Sequence, residues 1–135
     1  MSPILVYIKW IMLVSGVLTT TVVYAAFAPA AALQSTFGEA LDGPLANVIV
    51  RNWGALVGLM GVMLIYGAFD PASRPLALVT AGLSKAVFIG LVLREGVRYL
   101  DDQAAVSVVV DTVMIALFVW YLVAERQTRL ASVRR

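Results

Sequence analysis

Four ionisable residues lie inside otherwise apolar runs of the sequence, one in each run: Lys9, Arg51, Lys85 and Asp111. A charge at the bilayer centre costs at least about 2.5 to 3.5 kcal/mol, so it is retained where it faces the protein interior, pairs with an opposite charge or serves a function. Lys9 lies about 7 Å from the end of its run, so its long side chain is expected to extend to the lipid headgroups. The other three are the candidate functional residues.

Helical rise places these three residues in one layer. At about 1.5 Å per residue, Lys85 lies about 12 Å, Asp111 about 10 Å and Arg51 about 9 Å below the outer ends of their runs. The runs that contain Lys85 and Asp111 are joined by a short polar stretch, which predicts adjacent antiparallel helices with these two side chains within reach of an ion pair. Arg51 shares a helical face with Asn47 and Gly54 and is expected to point inward.

The layer predicts a polar pocket that opens outward and is formed by Arg51, Lys85 and Asp111. Its rim is predicted to contain Asn47, Asn52, Glu95, Tyr99 and Ser107. Two cations against one anion would suit a small anion, a carboxylate or a lipid headgroup. A structural triad that only locks the helices together explains the same residues equally well.

The elements that must position these residues are membrane spans. The chain has 135 residues, of which 61% are hydrophobic and 13% charged. Its apolar runs, near 4–28, 45–69, 75–93 and 104–124, approach or exceed the roughly 20 helical residues that cross a bilayer. They lack the alternation of barrel strands, so we predict an all-α fold: one integral membrane domain, an antiparallel four-helix bundle, with a basic tail at 125–135.

The linker between the first two runs predicts a short helix. Leu33, Phe37 and Leu41 recur every four residues, which is typical of a helix lying flat at the interface. The residues just before it, Ala26 to Ala28, resemble the end of a secretory signal peptide, and cleavage there would leave three helices. Lys9 lies inside the apolar run rather than before it, so we predict that the first run is a mature helix.

The distribution of basic residues predicts the orientation. Six lie on one side, against three on the other: Lys9, Arg74, Arg126, Arg129, Arg134 and Arg135 against Arg51, Arg94 and Arg98. The side richer in lysine and arginine is normally cytoplasmic, so both termini are predicted to be cytoplasmic, in a membrane that is expected to be the bacterial inner membrane.

Missing residue types exclude several functions. Cysteine and histidine are both absent, which removes disulfides, thiol chemistry and most metal sites, and no cofactor or metal is predicted. No usual catalytic set can be assembled, so a non-enzymatic role is favoured. The predicted partners are membrane lipids, a small ligand, and either further copies of the chain or a larger membrane complex; no basic soluble domain exists to bind nucleic acid.

The sequence resembles the DoxX-like group of small four-helix bacterial membrane proteins. The resemblance rests on the spacing of the four runs and on the second run, which reads Arg51-Asn-Trp-Gly-Ala-Leu-Val-Gly58-Leu-Met-Gly61. It implies mainly the fold. Some members of the group are associated with thiol or quinone redox systems. This sequence contains no cysteine, which argues against a thiol role.

Three functions follow from these patterns. The leading one is binding or transport of a small anionic or amphipathic ligand at the intramembrane charges; transport by four helices would require a homo-oligomer. The second is an accessory subunit of a larger membrane complex. The third is an enzyme acting on a lipid or quinone-like substrate, with Asp111 and Lys85 as acid and base.

Overall fold

The protein is all-helical, and four of its helices are long and apolar enough to cross a membrane. The structure, a computed structural model, describes residues 2–135. The helices are α1 (Pro3–Phe27), α2 (Pro29–Phe37), α3 (Pro44–Phe69), α4 (Arg74–Arg94) and α5 (Gln103–Val133), and α2 is the one too short to span. These apolar helices define an integral membrane protein whose surface contacts lipid.

Proline and glycine set the helix limits. Each of the first four helices has proline at its first or second position, where the missing N–H would have no helical partner. Gly38 ends α2 with φ +71°, and Gly96 follows α4 with φ +72°, a left-handed conformation that glycine adopts without steric penalty. The predicted spans agree with the observed helices to within about two residues, except that α5 continues through most of the basic tail to Val133.

The four long helices form a ring of neighbours. Helix α1 packs against α3 and α5, and α4 packs against the same two helices. Across residues 2–135, the opposite corners, α1 with α4 and α3 with α5, make no close backbone contact. The ring therefore leaves a central space that side chains must fill.

One end of the ring is filled by a hydrophobic core. It draws on the first half of α1, the later half of α3, the beginning of α4 and the later half of α5: Ile4, Ile8, Met12, Leu64, Ala68, Ala77, Leu78, Ala81, Phe118, Tyr121 and Ala124. These side chains interdigitate and leave little exposed area. We call this the closed end of the bundle.

Helices α1 and α3 stay in close contact beyond the closed end because glycines line α3. A Cβ added at Gly54 would lie 2.7 Å from the Ala25 Cβ, and one added at Gly61 would lie 2.7 Å from the Gly16 carbonyl oxygen. Small residues of this kind let helix backbones approach closely in a membrane, where dispersion contacts replace the hydrophobic effect. The tight α1 and α3 pair leaves the remaining space on the side of α4 and α5.

A substitution at Gly61 tests this close approach. Gly61→Ala forces a methyl group against the α1 backbone, so the free energy of unfolding should fall by about 1 to 3 kcal/mol. Gly90→Ala is the matched control, because Gly90 lies on α4 with no atom near its would-be Cβ; its stability should stay the same or rise by at most about 1 kcal/mol. Unfolding of both variants by detergent titration measures this, and equal stabilities would contradict the packing.

Candidate functional site

A buried ion pair lies between α4 and α5. Lys85 Nζ lies 2.6 Å from Asp111 Oδ1, and the two side chains are 10% and 16% exposed. The same nitrogen donates a hydrogen bond to Thr19 Oγ1 on α1, at 3.1 Å. The ion pair predicted from helical rise is confirmed, and Thr19 extends it across the middle of the bundle. Each charge meets an opposite charge inside the protein, which lowers the cost of holding it in hydrocarbon.

The ion pair forms part of the wall of a cavity of about 650 Å³. This volume falls within the roughly 300 to 1,000 Å³ of typical ligand sites. All five helices contribute: the wall includes Ser15, Thr19 and Ala25 of α1, Ala32 and Thr36 of α2, Trp53, Val57 and Met60 of α3, Lys85, Phe88 and Leu91 of α4, and Ser107, Val110 and Asp111 of α5. We call the end of the bundle that contains this cavity the cavity end.

The wall of the cavity has a polar part and an apolar part. Hydroxyls on α1 and α5 accompany the ion pair, among them those of Ser15, Thr19 and Ser107. The part supplied by α3 is apolar, with Val57 and Met60. An apolar chamber with a few convergent polar groups is the usual form of a small-molecule site, because apolar walls supply contact area and polar groups fix orientation.

Helix α2 closes the cavity end. Ala32 and Thr36 line the cavity, and the Phe37 ring contacts the rings of Trp53, Phe88 and Tyr99, with the Tyr99 ring centre 5.4 Å away in edge-to-face geometry. Such aromatic pairs each contribute about 0.5 to 1.5 kcal/mol beyond their buried area. Phe37 therefore fastens α2 to both α3 and the segment after α4.

An exposed ion pair lies beside this aromatic cluster. Arg98 Nη2 lies 2.6 Å from Glu39 Oε1, and the guanidinium donates a second hydrogen bond through Nε. The hydrogen bond to Glu39 and its negative charge raise the pKa of Arg98 above its usual range. Exposed pairs of this kind contribute little to stability because solvent screens them, so the aromatic contacts dominate the attachment of α2.

Arg51 does not join the predicted layer. The residue is exposed on α3 and its Nη1 donates a hydrogen bond of 2.6 Å to the Ala26 carbonyl oxygen, near the end of α1. The last carbonyls of a helix lack partners, and Pro29 has no N–H to offer them. The inward orientation expected from the helical face is therefore wrong: Arg51 caps a helix end instead. Arg74 does the same for α3, through the Gly67 and Ala68 carbonyl oxygens.

The predicted rim residues separate into two groups. Ser107 lies on the cavity wall beside Asp111. The other four lie elsewhere: Asn47, Asn52 and Glu95 are exposed, and Tyr99 lies in the aromatic cluster around Phe37. Lys9 is also remote, with its Nζ 4.7 Å from the centre of the Phe69 ring, a cation–π contact. Of the residues predicted for the site, the structure brings together Lys85, Asp111 and Ser107.

Two hydroxyls of the site were missed from the sequence. Ser15 and Thr19 lie one helical turn apart on α1 and both are buried. Their spacing of four residues within an apolar run was the available signal, since it places both on one helix face. Serine and threonine are common in membrane helices as packing residues, so the spacing alone does not separate a site from a helix contact.

The described part of the chain contains no group of three acidic, histidine or cysteine residues that could hold a metal ion. The polar side chains that line the cavity are a single carboxylate, an ammonium group, several hydroxyls, the Gln103 amide and the Trp53 indole. The chain is thus an integral membrane protein with an ion pair on the wall of an intramembrane cavity. It matches no protein-family model, no curated protein and no solved structure.

The capping role of Arg51 gives a testable difference between two arginines. Arg51→Gln shortens the side chain and loses a charged hydrogen bond, so the free energy of unfolding should fall by about 1 to 2 kcal/mol. Arg126→Gln is the control, because the Arg126 side chain is exposed and forms no hydrogen bond or ion pair with any residue from 2 to 135. Unfolding by detergent titration measures both variants. An Arg51→Gln variant with an unchanged free energy of unfolding would contradict the capping role.

Proposed function

We propose that this membrane protein binds an uncharged amphipathic molecule taken from the bilayer, with the polar head at Lys85 and Asp111. The observation that carries the proposal is the cavity of about 650 Å³, which joins an apolar wall to a buried ion pair. A molecule with one polar end and an apolar body satisfies both parts of the wall at once. Binding, rather than catalysis, is the role that this donor set supports.

The charge balance favours an uncharged head. Lys85 and Asp111 neutralise each other at 2.6 Å, and Arg51 is committed to Ala26. The excess positive charge expected from three layered residues is therefore not available to attract an anion. A charged ligand would be desolvated without a counterion, which is strongly unfavourable in a low-dielectric site.

The surroundings favour entry from the lipid. Several side chains that line the cavity are also well exposed: Leu18 of α1, Val87 and Leu91 of α4, and Val106 of α5. These apolar side chains lie within membrane-spanning helices and face hydrocarbon rather than water. A lipophilic molecule can therefore approach the cavity between helices without crossing an aqueous phase.

The proposal includes an arrangement in the membrane. We infer that the four long helices alternate in direction, that both termini are cytoplasmic, and that α2 lies at the outer interface. The closed end supports the alternation, because it combines the beginnings of α1 and α4 with the later halves of α3 and α5. A bacterial inner membrane location, the DoxX-like kinship, and roles as an oligomeric transporter, accessory subunit or enzyme remain predictions from the sequence.

Fluorescence of Trp53 tests the binding. Trp53 lines the cavity, whereas Trp10 and Trp120 lie exposed near the other end, so Trp10→Phe with Trp120→Phe leaves one reporter. The probes are decyl chains that carry bromine, a quencher, and end in an alcohol, a methyl ether, a carboxylate or an ammonium group. In nanodiscs, at least one uncharged probe should quench Trp53 saturably.

Two neighbouring valines provide the matched comparison. Val110 lines the cavity, while Val109 is 64% exposed on the outside. Val110→Phe should weaken the saturable quenching at least about fivefold, because the larger ring occupies ligand space. Val109→Phe should leave it unchanged. Quenching that rises linearly with probe in every variant would show that Trp53 reports only bulk lipid, and would defeat the proposal.

A further inference from the structure

We infer that the molecule bound in the cavity is a lipid alcohol, whose hydroxyl accepts a hydrogen bond from Ser15 and donates one to Asp111. The inference rests on the proposed function and adds the chemistry of the head group. It depends on a buried hydroxyl without a partner and on the hydrogen-bonding capacity that the ion pair leaves free.

Ser15 is the unusual group in the cavity. Its side chain is 1% exposed, and its Oγ finds no hydrogen-bond partner among residues 2–135. A buried hydroxyl without a partner is unfavourable, because it has given up its hydrogen bonds to water and gained none in return. Such a group is retained where something outside the protein chain supplies the partner.

Other hydroxyls in the membrane helices behave differently. Thr20, Thr112 and Thr128 each donate to the carbonyl oxygen four residues earlier, at 2.7, 2.7 and 3.0 Å. This local bond is the usual solution for serine and threonine inside a helix. Ser15 does not form it, although nothing in its residue type prevents it. Ser15 is one of the residues that line the cavity, so an occupant of the cavity is the partner that we infer for its hydroxyl.

The ion pair leaves capacity on both of its members. The Lys85 ammonium has three N–H donors and uses two, for Asp111 and Thr19. The Asp111 carboxylate accepts a hydrogen bond at Oδ1, and within the described residues its Oδ2 accepts none. Ser15, Lys85 and Asp111 all line the cavity, so we infer that a ligand head placed among them is offered donors by Ser15 and Lys85 and an acceptor by Asp111.

A hydroxyl fits this set better than the other common heads. Ser15 and Thr19 are separated by one turn, about 5 to 6 Å between their Cβ atoms, and Thr19 binds the same nitrogen as Asp111. A single hydroxyl oxygen between them can both accept from Ser15 and donate to Asp111. A ketone or an ether can only accept and leaves Asp111 Oδ2 without a donor, while a carboxylate would add a second anion beside Asp111.

The four brominated decyl probes separate these heads in one assay with the Trp53 reporter. The alcohol should bind most tightly, and the methyl ether at least about tenfold more weakly, because it cannot donate to Asp111. Ser15→Ala should weaken alcohol binding about five- to tenfold and leave the midpoint of detergent unfolding unchanged, since it removes no hydrogen bond within the protein. Ser2→Ala, at a serine that lies outside the cavity and whose side chain forms no capping hydrogen bond, should change neither measurement.

The outcomes distinguish the inference from the function on which it rests. Equal affinities for alcohol and ether, or an alcohol affinity that Ser15→Ala does not change, would overturn the head-group assignment while saturable binding still supported a ligand site. A Ser15→Ala variant that unfolds more easily would assign Ser15 a structural role and overturn its part in binding. Linear quenching by all four probes would remove both the ligand site and its head-group chemistry.

Discussion

The requirement that charges in hydrocarbon find partners governs this structure. Lys85 and Asp111 meet at 2.6 Å and fix α4 against α5, and the bond from Lys85 to Thr19 ties that pair of helices to α1. Because both charged side chains are mostly buried, neither can turn to the lipid without separating the pair, which is strongly unfavourable. Their position in turn places polar groups on the wall of the central space.

That space exists because packing is uneven along the bundle. At the closed end, large side chains from four helices fill the centre. Further along, glycines allow α3 to pack closely against α1, and the ion pair joins α5 to α4, so the two pairs of helices border a space that no side chain fills. Helix α2 covers it through the contacts of Phe37 with Trp53, Phe88 and Tyr99. The cavity is thus a consequence of which helices can approach each other closely.

Much of the fold was predictable, since hydropathy reports span length directly and proline marks the helix starts. The Lys85 and Asp111 contact was predictable for the same reason: a short connection and equal depths leave two opposite charges few alternatives. The prediction for Arg51 is wrong because its depth and helical face do not determine which group its long side chain contacts. Its partner, the Ala26 carbonyl oxygen, is 25 residues away in the sequence and comes close only in the folded chain.

The hydroxyls were missed for a related reason. Serine and threonine at helical spacing occur on packing faces and on binding faces alike, so only the positions of the surrounding helices show that Ser15 and Thr19 border a cavity. The predictions for Asn47, Asn52 and Glu95 are wrong because these residues are exposed and do not border the cavity. Sequence predicts which residues share a face, whereas the cavity depends on how closely the faces approach.

A double-mutant cycle on the ion pair tests the central claim most directly. The free energy of unfolding is measured for the unmodified protein, Lys85→Met, Asp111→Asn and the double variant. Each single substitution should lower the free energy of unfolding by about 3 to 5 kcal/mol because it leaves a charge unpaired. The loss in the double variant should be much smaller than the sum of the two single losses, with an interaction energy above about 1 kcal/mol. Additive losses would show that the two side chains act independently and would contradict the account.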